Sequence, residues 1–413
     1  MIDELRKLSK KFLSIKNHPY RRYLIRQTPF EDNRMSLIIG QRGVGKTTTL
    51  VQSLLDKVKG DMLSDKILYI QADHFQVGKK TLYEIAEDFV TLGGKWIAFD
   101  EIHKYPDWAK ELKSIYDTFN DLQILASGSS ALEIYKGSHD LSRRAIKYNM
   151  QGMSFKEYLE LTYGLNLQTY SLEDICKNHE KIASKIISEL NKKKQKVIPL
   201  FKQYLRCGYY PYFQELNSNE DLYKITLEQN VHATIESDLV AISPHLTGNS
   251  IKKIKQLLVL ISDLVPFIPN WKKILHILEI GDDRTLKTYF KHLEDAALIK
   301  TIGRATKKMS KLESTEKVYL ENPNQLYAIS TSKSSEIGTI RETFFLCMLS
   351  QKYLVSLPKN GGFFIDKNLV FEIGGKNKNF QQIKNTKNSY IVCDDIEFGI
   401  DKKIPLWLFG FLY

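Results

Sequence analysis

The sequence predicts an α/β chain built around a parallel sheet between helices, followed by helical and mixed α/β segments. Three observations predict it. An apolar strand at 36–39 runs into "GQRGVGKT" at 40–47 and then into a helical pattern. A second apolar strand, "WIAF" at 96–99, ends in Asp100 and Glu101. From about 315 onward the pattern changes to short strands with one helix among them.

The first element is G-x-x-x-x-G-K-T, a phosphate-binding loop in strand–loop–helix context. Gly40, Gly43 and Gly45 are expected at φ > 0, turning backbone N–H groups toward phosphate oxygens. The new helix adds its positive N-terminal end. Lys46 is placed to reach the β- and γ-phosphates, and Thr47 to ligate Mg²⁺. The nucleotide-binding set is then Gly40, Gln41, Arg42, Gly43, Val44, Gly45, Lys46, Thr47 and Thr48, with ATP and Mg²⁺ as cofactors.

About 55 residues beyond the loop, Asp100 is expected to hold Mg²⁺ through water and Glu101 to polarise the attacking water. His103 reads equally well as a surface or hinge residue. A third apolar strand, "LQILASGSSAL", ends in Ser127, Gly128, Ser129 and Ser130. Those hydroxyls either sense the γ-phosphate or cap the next helix. Downstream, Arg143 and Arg144 offer guanidinium charge for the transition state, in cis or across a subunit interface, or form a plain surface pair.

Composition bounds the function more loosely. A chain of 413 residues is long enough for two to four domains, and no apolar run approaches the roughly 20 residues of a membrane helix. The N-terminus "MIDELRKLSKKF" does not read as a secretory signal. Cys176, Cys207, Cys347 and Cys393 are widely spaced, which favours buried thiols and the reducing cytoplasm. A net charge of +12 suggests an acidic partner, with nucleic acid first, although a lysine-rich surface kept for solubility gives the same number. Eight Lys and Arg fall within residues 1–30 against two acids, and "NKKKQK" at 191–196 is a second basic run.

Taken in order, "LIIGQRGVGKTTTL", "WIAFDEIHKYPDW", "ILASGSS", "LSRRAIKYNMQGMSFKEYL", "YLRCGYYPYF" and "VFEIGGKNKNFQQI" resemble the prokaryotic AAA+-type ATPases with a C-terminal restriction-endonuclease-like domain. The resemblance spans most of the chain. It implies an AAA+-like ATPase core, places Arg144 rather than Arg143 on the family arginine, and makes residues 166–248 a helical lid. "YLRCGYYPYF" departs from the family's usual glycine pair at Gly208 and Tyr209. The expected domains are a core with a basic N-terminal helix at 1–165, the lid at 166–248, a winged helix at 249–312 and a nuclease-like domain at 313–413.

Residues 172–245 read as helices without a catalytic cluster. Residues 250–304 read as three helices and a strand leading into a wing. Asp282 or Asp283 caps the third helix; Leu286, Tyr289, Phe290, Leu293 and Ala297 face a core, while Arg284, Lys287 and Lys291 face outward. This basic row suits phosphate contact on DNA, and many such modules instead bind protein.

In "KVYLENP", "YLVSLP", "GGFFIDKNLVFEI", "SYIVC" and "IPLWLFGFLY" the C-terminal strands are expected, the last as aromatic strands. The resemblance implies a nuclease metal site, but here it is damaged. Gly374 stands where the family lysine follows Glu372, with Lys376 the nearest replacement, and the family aspartate falls near Gly361 or Gly362. The remnant candidates are Glu342, Asp366, Glu372 and Lys376, with Asp366 in an expected hairpin turn. The favoured reading is an Mg²⁺-dependent ATPase coupling ATP to DNA or partner binding, alone or as a homo-oligomer and without a membrane. An ATP-gated nuclease and a non-hydrolytic switch or scaffold are the alternatives.

Overall fold

The computed structural model describes residues 2–28, 33–128, 141, 143–243, 245–304, 315–330, 337–358, 361–384 and 386–413. They divide into two compact units, Met1–Gly152 with Ala233–Leu246, and Met153–His232 with Thr247–Tyr413. Among the described residues no helix is long and apolar enough to cross a membrane.

In the first unit α1 (Ile2–Lys16) precedes β1 (Met35–Ile39), α2 (Lys46–Lys57), β2 (Ile67–Gln71), α3 (Leu82–Thr91), β3 (Trp96–Asp100), α4 (Trp108–Thr118), β4 (Gln123–Gly128) and β5 (Ile146–Asn149). The five strands form a parallel sheet in the order β2-β3-β4-β1-β5. Leu37, Ile39, Leu68, Ile70, Ile97, Phe99, Ile124 and Ala126 are buried in one core, the apolar run expected of a sheet covered by helices. Because all five strands run one way, their carboxyl ends share an edge, where ligands bind in such sheets.

α1 is amphipathic, with Leu5, Ser9 and Leu13 buried. Part of the N-terminal basic run is structural: Arg22 is 4% exposed and donates to the carbonyls of Val44 and Gln151. Lys10 and Arg21 pair with Asp65 and Asp56.

The second unit contains α5 (Phe155–Tyr163), α6 (Leu172–Lys192), α7 (Val197–Cys207) and α8 (Glu220–Ala233), with serine capping boxes opening α5 and α6. Three further helices follow: α9 (Gly248–Leu264), α10 (Trp271–Ile277) and α11 (Asp283–Asp295). Asp282 caps α11 by accepting from the Thr285 N–H at 2.8 Å. Leu286, Tyr289, Phe290 and Leu293 are buried as expected, whereas Ala297 lies past the helix end at φ 54 and is half-buried.

β6 (Ile299–Gly303) pairs antiparallel with β7 (Thr315–Leu320). Thr315–Leu320, expected among the C-terminal strands, therefore pairs with β6 and does not open the C-terminal sheet. The reason is pairing: each strand is too short to stand alone and finds its ladder on the other. The wing residues 305–308 lie outside the described residues.

After α12 (Ile337–Leu349), a sheet forms from β8 (Val355–Ser356), β9 (Phe363–Ile365), β10 (Leu369–Gly374), β11 (Ser389–Cys393) and β12 (Lys403–Pro405). Its order is β12-β11-β10-β9-β8, with β10, β11 and β12 mutually parallel. The terminal aromatic run is not a pair of strands. Leu406–Phe411 forms a 3-10 helix buried on every side, and the Ser154 hydroxyl donates to the Tyr413 carbonyl at 2.9 Å. All four cysteines are buried thiols.

Candidate functional site

The phosphate loop leaves β1 and turns directly into α2. Gly43 and Gly45 stand at φ 83 and 100, the left-handed region that glycine enters without strain. Gly40 is different: its φ is not left-handed, but a Cβ there would overlap the carbonyl oxygen of Met150. Glycine at 40 thus answers a close backbone approach, correcting the expectation of φ > 0. Lys46 is buried and its ammonium donates to the carbonyls of Gly40 at 3.0 Å and Gln41 at 2.8 Å. Burial lowers its pKa, opposed by Glu101, Asp100 and Asp238. Val44 is buried and Thr48 half-buried in the first turn of α2.

Asp100 is the centre of the site. Its Oδ2 accepts from Thr47 Oγ1 at 2.6 Å and from the Tyr69 hydroxyl at 2.6 Å. Its Oδ1 accepts from the Ser127 hydroxyl and from the Glu101 N–H at 3.1 Å. The sheet makes this convergence, since the register sets Gln71 against Asp100, and Ser127 lies at the end of β4 between β3 and β1. Burial, and then the Asp100 charge, push the Tyr69 phenol well above its ordinary range, so it remains a donor. Ser127 joins the acid strand directly; Ser129 and Ser130 lie outside the described residues.

Replacing Tyr69 with Phe removes one of the donors on a buried carboxylate. We expect about 1 kcal/mol lost by chemical denaturation, with turnover falling severalfold at saturating MgATP.

Glu101 opens the turn after β3 with φ 53 and ψ 36. A non-glycine residue there costs about 1 kcal/mol, and such outliers concentrate at functional sites. Its Oε2 lies 3.2 Å from Lys104 Nζ and 3.9 Å from His103 Nε2. Burial opposes charge on Lys104, but hydrogen bonds to Asp73 and Glu101 outweigh it, and its pKa is raised. His103 is not a surface residue: its side chain is fully buried and faces Glu101 and Asp238. Asp238 comes from the stretch 172–245, which read as helices without a catalytic cluster, and it pairs with Arg42 at 3.0 Å.

Arg144 does not join the site within this chain. It stands two residues before β5, whose register sets Ser36 against Ile146. That is the amino-terminal edge of the sheet, roughly 13 Å along the strands from the loop. There it makes a two-pronged pair with Asp117 at 2.7 and 2.8 Å, and this corrects its reading as a cis sensor. Arg143 is exposed.

In the second unit Arg284 and Lys291 are exposed on α11, while Lys287 pairs with Asp283 at 2.6 Å and lies over the Trp271 ring. The remnant metal set does not assemble. Asp366 sits in the β9–β10 turn at φ 48, where its carboxylate accepts from the Leu354 N–H. Glu342 accepts from the Tyr319 hydroxyl at 2.6 Å. Lys376 is exposed, and it is Lys378 that meets Glu372, at 2.6 Å. A Cβ at Gly374 would overlap the Lys378 side chain, so Lys378 fills the space beside that glycine. A Cβ at Gly362 would stand 3.1 Å from the Phe371 carbonyl oxygen and 3.5 Å from Glu372 Oε2. Among the described residues no three His, Cys, Asp or Glu are grouped to hold a metal.

A family model described as an AAA domain matches residues 32–159, and one described as a domain of unknown function (DUF8612) matches 198–334. An uncharacterized protein of Methanocaldococcus jannaschii is 25% identical over 412 residues, covering 91% of this chain and 82% of that protein. Among solved structures the chain is similar to a Walker-type ATPase of Pyrococcus abyssi, at 12% identity and TM-score 0.40, over 78% of this chain and 95% of that one. It is also similar to a DNA polymerase III gamma subunit-related protein of Thermotoga maritima, at 13% identity and TM-score 0.27, over 66% of this chain and 98% of the other. The match to the AAA domain model falls on the stretch that holds the phosphate loop, Asp100 and Ser127.

Proposed function

We propose that this AAA-type domain hydrolyses ATP with Mg²⁺ and that its nucleotide state controls binding of DNA or a protein by the second unit. The observation that carries the reading is the convergence of Thr47, Tyr69 and Ser127 on Asp100, with Glu101 at the adjoining turn. The residues fit the group they would hold. The loop N–H groups and Lys46 would grip the phosphates, and Thr47 and Asp100 would hold Mg²⁺, which supplies charge neutralisation when bound. Glu101, as general base, takes the proton of the attacking water. Arg144, on the far edge of the sheet and paired with Asp117, is a plain surface pair within this chain, or serves the nucleotide of another copy in a homo-oligomer.

The three helices and β6–β7 hairpin support a winged helix, and Arg284 and Lys291 suit duplex phosphates. We read the α12–β12 region as a degenerate restriction-endonuclease-like domain. The Glu372–Lys378 pair, with glycine where the acid would stand, argues against cleavage.

The test is phosphate release by wild type and Lys46→Ala, with and without duplex DNA. We expect Mg²⁺-dependent turnover, a loss of about a hundredfold or more in the variant, and stimulation by DNA that Arg284→Glu with Lys291→Glu removes. No turnover in the wild type would sink the ATPase reading. Turnover indifferent to DNA would leave protein as the downstream ligand.

A further inference from the structure

Asp238 reaches the site from far along the chain, on the π-helical turn Thr234–Asp238. Single π turns re-aim a side chain and recur at functional sites. The carboxylate is 1% exposed, and its Oδ1 lies 3.0 Å from Arg42 Nη2 and 3.8 Å from His103 Nε2. The same His103 nitrogen is 3.9 Å from Glu101 Oε2, so one imidazole edge lies between Glu101 and Asp238. Arg42 belongs to the phosphate loop, and its Nε is buried without a hydrogen bond.

A carboxylate this deeply buried is costly unless paired, and a buried pair contributes little net stability compared with apolar packing. What the arrangement supplies is placement. Asp238 sets one fixed charge against a phosphate-loop residue, Arg42, and against His103, whose ring nitrogen also faces Glu101.

We propose that Asp238 is a positioning residue for ATP hydrolysis: held in place by Arg42, it fixes the Glu101 carboxylate through His103. The inference rests on the ATPase reading above. Lys46, Thr47 and the loop N–H groups carry nucleotide affinity, whereas the water-polarising geometry runs through Glu101 and His103. Loss of Asp238 therefore falls on turnover and spares binding. Misplacement of a reacting group by about 1 Å can cost roughly a hundredfold in rate.

The experiment compares full-length wild type, Asp238→Asn, His103→Asn and the double variant. MgATP turnover and the affinity for a fluorescent ATP analogue are measured on each preparation. We expect kcat to fall about tenfold or more in each single variant, with analogue affinity within threefold of wild type. The double variant should lose no more than the worse single one, because both act through one coupling. Wild-type turnover in Asp238→Asn overturns the proposal, and so does affinity weakened in step with kcat or multiplied losses in the double variant. Should Asp238→Asn unfold below the assay temperature, His103→Asn decides by the same criteria. A wild type that binds and hydrolyses while the variants match it defeats this inference alone; a wild type that does neither defeats the ATPase reading.

Discussion

Glu101→Gln is expected to bind MgATP as well as the wild type, or better, while turning it over about a hundred to a thousand times more slowly. The amide keeps the shape of the side chain and the left-handed turn at φ 53, and Lys104 keeps its pair with Asp73, so the fold should be retained. It removes the carboxylate that would take the proton from water, and with it a negative charge acting on Lys46 beside the phosphate position. Loss of a base lowers kcat; loss of a like charge near a polyanion raises affinity. Phosphate release and nucleotide binding on one preparation read both signs. Turnover within threefold of wild type would assign the base to another residue.

The phosphate loop and the acid strand were legible because each is contiguous: glycines, lysine and threonine at fixed offsets, then an apolar strand ending in Asp100 and Glu101. Tyr69 was not, because its role depends on β2 lying beside β3, and a tyrosine in an apolar strand looks like core. Asp238 was less legible still. No local pattern links one aspartate in a helical stretch to a loop nearly two hundred residues earlier. His103 read as ambiguous for the same reason, since its burial is set by the chain that covers it.

Helices and caps in the second unit followed their periodicity, as Asp282 and the buried face of α11 demonstrate. Strand partners did not. Thr315–Leu320 has the composition of any short strand, and only pairing with β6 assigns it to the helical module. "LWLFGFLY" has the aromatic content of strands, yet burial on all sides lets a 3-10 helix satisfy its backbone locally. The lysine beside Glu372 was misjudged by one step of turn geometry: Lys376 is nearer in sequence, but the turn after Gly374 carries Lys378 back over the strand.

Gly40→Ala should be the most damaging single-methyl change in the first unit, and it separates two reasons for glycine in one loop. At Gly43 and Gly45 the requirement is dihedral; at Gly40 it is space. The added methyl would meet the Met150 carbonyl, a backbone group whose own N–H donates to Ile39 at 2.7 Å. Neither strand end can easily retreat, because Arg22 ties the Val44 and Gln151 carbonyls together. Overpacking against backbone held on both sides should cost about 3 kcal/mol, a fall of roughly 10 °C in melting temperature for a unit of this size. Since the displaced group is the loop itself, MgATP should no longer raise the melting temperature of the variant. Gly78→Ala is the internal control: a Cβ there meets nothing within 4 Å and its φ is ordinary, so its melting temperature should stay at or slightly above wild type. Equal melting of the Gly40 and Gly78 variants, each still stabilised by MgATP, would show that the strand ends yield, and the close approach of β1 and β5 would then not be what demands glycine at the mouth of the loop.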